Sequence, residues 1–309
     1  MAAAAQLVIA YDGSPSAINA VRVADALFAG ARAAIVTVPS APPSSAFGAS
    51  RFLVNVPSGT LEQALEEIVA EVTEEARGVA EEGVKRAAAL DAAALVTQPP
   101  HGPTWEALLA AAGEAGADVL VCGARDRGEF ARTVLGSTST SLLHHAKLPV
   151  VVVPDDAEPS DGPVLIAYDG SEAADRAIDV AGRLLPGRAA VVVHVYVSQY
   201  RDSRAVRVIA QGEVGEIVKA LDQALTDEAT EITTRGVERA RAAGLDAQGE
   251  TIQADKGVWR TITALARDRH AALVVTGSRG LGGARSVLLG SVSSGLVHNA
   301  EVPVLVAHA

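Results

Sequence analysis

The chain has 309 residues, 49% of them hydrophobic and 20% charged, which supplies enough apolar material for full cores. That excludes a disordered, collagen-like or disulfide-scaffold protein, and the length points to two domains. The net charge is −11: residues 1–155 carry 17 acidic and 10 basic side chains (−7) and residues 156–309 carry 20 and 16 (−4), so neither half has the basic excess that binding a nucleic-acid backbone demands.

The N-terminal segment MAAAAQLVIAYDGS lacks a basic n-region, so no signal peptide is expected. No apolar run approaches the roughly 20 residues needed to span a bilayer. The expectation is a soluble, cytoplasmic chain with no membrane partner. The first strand is Leu7–Ala10, ending in Tyr-Asp-Gly-Ser, where Ser14 caps a helix that begins with Pro15. A β-branched run at 33–38 reads as a strand buried on both faces. A Glu-rich helix follows, with Leu61, Leu65, Ile68 and Val72 at helical spacing. A third strand at 93–97, a helix through Trp105–Ala112, the apolar run DVLVC, and a last strand at Pro149–Val153 complete the first unit. The acidic, Pro-rich segment PDDAEPSDG (154–162) is the linker.

The same order then starts again. Residues 7–27 match 164–184 at an offset of 157, and residues 121–153 match 275–307 at an offset of 154. Trp105 and Trp259, the two tryptophans, fall into register at the second offset. Such self-similarity is a duplicated domain. The second unit repeats the elements: strand Val164–Ala167, the helix cap Ser171, a strand at 190–197, and a long helix with Val214, Ile217, Val218, Leu221 and Leu225. A strand at 247–253, a helix through Trp259–Ala266, the run ALVVT and the strand Pro303–Ala307 follow. The predicted fold is α/β in two tandem domains, 1–153 and 163–309, each a doubly wound five-stranded parallel sheet with flanking helices, Rossmann-like in plan. The last strands, short and apolar, are expected to pair with one another and join the units.

Ligands of doubly wound sheets bind past the carboxyl ends of the strands. Two loops per unit are candidates: Asp12-Gly13-Ser14 and Asp169-Gly170-Ser171 after the first strand, and the loops opened by Gly123 and Gly277 after the fourth. In the second unit the latter reads Gly277-Ser-Arg-Gly280, nine residues, then Gly290-Ser291. Glycines admit close approach of an anion, and a helix start with Ser offers N–H and hydroxyl donors. The bland alternatives are that the Asp residues shape a turn and the glycines a tight strand-to-helix connection. His144 and His298, far from other ligand-type residues, read as structural, and Cys122 as a small buried residue. No metal site and no catalytic residue is assigned.

A first-strand Asp, a G-x-x-G-x9-G-S loop and a closing P-V-L-V strand resemble the universal stress protein family in its tandem form, over nearly the whole chain. The resemblance implies ATP as ligand, with Mg²⁺, in a nucleotide-dependent regulatory or interaction protein of the stress response. It implies that Asp169 lies near the adenine and ribose, that Val195 offers backbone atoms to the base, and that Gly277, Gly280, Gly290, Ser291 and Ser293 surround the phosphates, with Arg279 beside them. The matching positions in the first unit are Asp12, Val38, Gly123, Gly136, Ser137 and Ser139. There the second loop glycine is replaced by Asp126, whose carboxylate repels a triphosphate unless Arg125 and Arg127 offset it. The family also implies a protein partner and dimers, here a homodimer of the tandem chain through other surface. The P-loop G-x-x-x-x-G-K-[ST] does not occur, so hydrolysis, if any, is expected to be slow. The alternatives are a slow ATPase, an adenylating enzyme of related architecture, a dinucleotide-dependent oxidoreductase, and a nucleotide-free interaction module.

Overall fold

A computed structural model describes residues 4–39, 58–97, 102–125, 135–198, 213–255, 257–280 and 289–308. The first unit runs β1 (Gln6–Ala10), α1 (Pro15–Leu27), β2 (Arg32–Thr37), α2 (Ser58–Arg86), β3 (Asp91–Val96), α3 (Thr104–Glu114), β4 (Val119–Gly123), α4 (Ser137–His145) and β5 (Val150–Val153). The second runs β6 (Val164–Ala167), α5 (Glu172–Leu184), β7 (Ala189–Tyr196), α6 (Glu213–Ala242), β8 (Asp246–Gln253), α7 (Val258–Asp268), β9 (Leu273–Gly277), α8 (Ser291–Asn299) and β10 (Val304–Ala307). Each is the alternating α/β unit that the sequence predicts, with strand bounds within two residues of the expected ones. Among the described residues no helix is long and apolar enough to cross a membrane.

The ten strands form a single sheet in the order β3-β2-β1-β4-β5-β10-β9-β6-β7-β8. Neighbours within each half are parallel. The halves meet where β5 and β10 pair antiparallel, with Val151 opposite Leu305, as expected for two short apolar edges that would otherwise be open. The central strands VLVCG, VVVV, LVVTG and VLVA are almost wholly buried, because helices cover both faces of a parallel sheet. The outermost strands, DAAALV and DAQGETIQ, are more exposed.

One core layer joins Ile9, Val121, Ile166 and Leu305 to Ala20, Ile178 and Val237 on the α1, α5 and α6 side. The other joins Val8, Leu120, Leu165 and Val304 to Leu108, Leu142, Ile262 and Leu296 on the α3, α4, α7 and α8 side. Both layers run through the two units.

The long helices α2 and α6 lie where helical spacing places them, but their apolar stripes are not buried throughout. The side chains of Leu61, Leu65, Ile68 and Val214 fall outside the described residues; Val72, Val218 and Leu225 are half-buried, and Ile217 and Leu221 are exposed. The reason is length. At about 1.5 Å per residue a 30-residue helix reaches roughly 45 Å, whereas the eight residues of β7 reach about 27 Å. The first half of α6 overhangs the sheet, and burial passes to Ala229, Thr233, Val237 and Ala240 further along.

The linker is not a free tether. The Asn19 amide donates to the carbonyls of Pro154, Asp155 and Ala157, and Arg22 pairs with Glu158 and donates to the Ala157 carbonyl. At the other end Ser160 donates to the His270 carbonyl and Arg188 to the carbonyls of Ser160 and Gly162. The acidic, proline-rich strap is therefore held by both units.

Candidate functional site

The cleft of the second unit is built from three strand ends and one helix start. β6 delivers Tyr168 and Asp169 to a tight turn whose Gly170 has φ 79°, a conformation that favours glycine. Asp169 Oδ1 accepts the Ser171 N–H at 3.0 Å, and the Ser171 hydroxyl accepts the Ala174 N–H at 3.2 Å, capping α5. The structural role weighed for this aspartate is thus real, yet Oδ2 is directed at the facing loop: a β-carbon on Gly280 would lie 2.5 Å from it.

β9 delivers Gly277. Its φ is not positive, so the requirement is space: a β-carbon would come within 2.7 Å of the backbone carbon and oxygen of Ala173 in the first turn of α5. This lets the strand end press against the helix start. The loop closes on itself through the Ser278 N–H to the Ala307 carbonyl at 2.9 Å and the Gly290 N–H to the Ser278 carbonyl at 2.8 Å. α8 then begins at the cap Gly290 with no side-chain cap, so its leading N–H groups have no partner within the helix.

Asp169, Val195, Gly277, Arg279, Gly280, Gly290, Ser291 and Ser293 all line one cleft of about 520 Å³, well within the size range of small-molecule sites. Residues far apart in sequence thus meet as the motif spacing requires. Ser293 is buried and its hydroxyl donates to the Gly277 carbonyl at 2.6 Å, clasping the helix start to the strand end. Arg285 and the rest of 281–288 lie outside the described residues.

Four further participants escaped the sequence reading. Val258 and Ile262 add apolar side chains from α7 to the cleft lining; they read as ordinary core positions of an amphipathic helix. His194 also lines the cleft, buried, its Nδ1–H donating to the Tyr168 carbonyl at 2.8 Å. Its one available signal was register: it matches Thr37, whose hydroxyl donates to the Tyr11 carbonyl in the same way. Tyr168 is the fourth. Burial, then its hydrogen bond to Asp175, pushes its hydroxyl up to about 12, so it stays neutral at the edge of the cleft.

The first unit shares the frame. Asp12 Oδ1 accepts the Ser14 N–H at 2.9 Å, Ser14 caps α1, and Gly136 closes on the Ala124 carbonyl at 2.8 Å. Gly123 abuts Ser16 where Gly277 abuts Ala173. Ser139 is buried and donates to the Ala124 carbonyl at 2.9 Å, Ser137 opens α4, and Val38 is half-buried at the end of β2. The Arg125 guanidinium pairs with Asp155 of the linker. Asp126 and Arg127 lie outside the described residues.

A family model described as the universal stress protein family matches residues 5–154 and again 162–308. A universal stress protein of Mycolicibacterium smegmatis is 38% identical over 200 residues, covering 62% of this chain and 61% of the relative. One from Mycobacterium tuberculosis strain H37Rv is 33% identical over 198 residues, with 62% of each covered. The matched stretch thus spans about three fifths of the length of these relatives. Among solved structures, a universal stress protein from Archaeoglobus fulgidus aligns over 98% of both chains with a TM-score of 0.59 at 20% identity. At that identity the likeness concerns the fold alone.

Proposed function

Because the chain belongs to the universal stress protein family, in tandem form, we propose that it is a stress-response protein that binds ATP in the cleft of its C-terminal unit. The observation that supports this is the joint lining of one cleft by Asp169, the loop glycines 277, 280 and 290, Arg279 and the uncapped start of α8. The donor set fits the ligand. An apolar wall of Val195, Val258 and Ile262 suits a base, a carboxylate suits ribose hydroxyls, and a helix N-terminus with an arginine suits phosphates. Asp169 is the single carboxylate among the described lining residues. Mg²⁺ would therefore be carried chiefly by phosphate oxygens, as hard cations prefer.

The residues present favour binding over turnover. Ser293 and His194 are both engaged with backbone carbonyls, and hydrolysis on this reading is slow at most. The protein then acts by presenting a nucleotide-dependent surface to a regulatory partner protein, in the cytoplasm, with a dimer of tandem chains as a further level of assembly. The test is to denature purified protein and quantify released nucleotide by mass analysis, together with calorimetric titration by MgATP. Co-purified or titratable ATP supports the reading. A chain that neither carries nor takes up nucleotide is an interaction module without ligand.

A further inference from the structure

We propose that Asp155 is a built-in occupant of the anion position in the first unit, and that this carboxylate keeps that unit from taking a polyphosphate. The inference rests on the reading of the second cleft as a nucleotide site. In the repeat register Arg125 matches Arg279, the one arginine among the described residues of the second cleft. Arg125 stands at the same point of the loop, one residue after Ala124, whose carbonyl receives the Gly136 N–H as that of Ser278 receives the Gly290 N–H. Its guanidinium is paired with the Asp155 carboxylate in a setting where both side chains are about three quarters shielded from solvent. The position matching Asp155 in the second unit is Ala309, whose side chain carries no carboxylate.

Asp155 is not there by accident of a loose linker. The Asn19 amide holds the carbonyls on either side and of Asp155 itself, and Arg22 anchors the strap to Glu158. The position matching Asn19 is Arg176 and the one matching Arg22 is Asp179, so neither clamping residue recurs in the second unit. One oxygen of Asp155, Oδ1, is buried without a hydrogen-bond partner among the described residues. A carboxylate already on the guanidinium that would otherwise meet a phosphate keeps that phosphate away: two anions competing for one arginine repel each other.

The test counts MgATP per chain by calorimetry and by mass of the native protein, on wild type, Asp126→Gly and Asp126→Gly/Asp155→Asn. The Asp126→Gly background removes the loop's own carboxylate, and Asn keeps the shape of Asp155. Wild type and Asp126→Gly are expected to bind one nucleotide and the double variant two. A double variant that stays at one overturns the role of Asp155 while leaving the second cleft intact. Asp126→Gly binding two overturns it as well, since Asp155 would then be no barrier. Wild type binding none overturns the nucleotide reading itself. Replacing Asp155 by Glu in the Asp126→Gly background should return the count to one; a count of two there speaks against occupancy by a carboxylate.

Discussion

Asp169 and Gly280 face each other across the cleft so closely that a β-carbon at Gly280 would lie 2.5 Å from the Asp169 Oδ2 atom. A side chain at Gly280 would therefore have to push that carboxylate aside. A carboxylate placed there adds steric pressure and a like charge beside both Asp169 and any phosphate. Gly280→Asp is expected to weaken MgATP binding by about tenfold or more, equivalent to about 1.4 kcal/mol, with Gly280→Ala showing a smaller loss. Titration calorimetry decides; equal affinity in Gly280→Asp would mean that the loop lies elsewhere when nucleotide binds.

Asp169 has two duties that one substitution separates. Asparagine can still accept the Ser171 N–H through its side-chain oxygen, so Asp169→Asn should keep the turn and change stability by no more than about 0.5 kcal/mol. Nucleotide affinity should change nonetheless, because the charge facing Gly280 is gone. Ser171→Ala works the other way: loss of the cap on Ala174 should cost about 1 kcal/mol in denaturant unfolding.

Gly277→Ala tests the packing of β9 on α5. Because the added methyl meets the backbone of Ala173 rather than a movable side-chain tip, strand or helix must shift. A loss of about 1–3 kcal/mol in denaturant unfolding is expected, and Gly123→Ala against Ser16 should behave alike.

His308 makes the junction between the units sensitive to acid. Its Nε2–H donates to the Leu143 carbonyl of the first unit at 2.8 Å, while burial, with the Arg279 charge acting in the same direction, holds the imidazole below its ordinary value of 6.5. The folded state therefore takes up this proton less readily than the unfolded chain does. Stability from this group is present above about pH 6.5 and falls as the pH drops below it. The melting temperature of wild type should decline more between pH 7.5 and 5.5 than that of His308→Gln; parallel declines would show that His308 is not the responsive group.

Bound nucleotide should also be visible in stability. A ligand that binds only the folded state contributes about 2.7 kcal/mol at a hundredfold excess over Kd. Saturating MgATP should raise the melting temperature and increase hydrogen-exchange protection at residues 277–280 and 289–293. An unmoved melting temperature with unchanged protection there would count against a nucleotide that ties the loop to Asp169.

Much of this site was legible because its chemistry is written in short, contiguous stretches. Asp-Gly-Ser announces a turn and a cap wherever it occurs, and the glycine spacing of the 277–291 loop announces a close approach to something. His194 and Ile262 were not legible in that way. A histidine in a β-branched run and an isoleucine on an amphipathic helix read as core, and only the packing of α7 beside β7 brings both to one cleft. The stripe of Ile217 and Leu221 was legible as helix but not as surface, since its exposure depends on how far α6 outruns the strands beneath it.

The duplication, the alternation of strand and helix, the caps at Ser14 and Ser171 and the pairing of two apolar last strands were determined by the sequence alone. They depend on local backbone preferences and on hydrophobic runs that have few other ways to be buried. The tertiary structure alone decided which charges meet. Arg125 has the carboxylate of Asp126 next to it in sequence, yet it forms an ion pair with Asp155, thirty residues on. Asn19 reaches the strap from more than 130 residues away. A long, flexible cation takes the carboxylate that the folded path brings within reach, and that path is set by the packed sheet and helices rather than by the residues beside it.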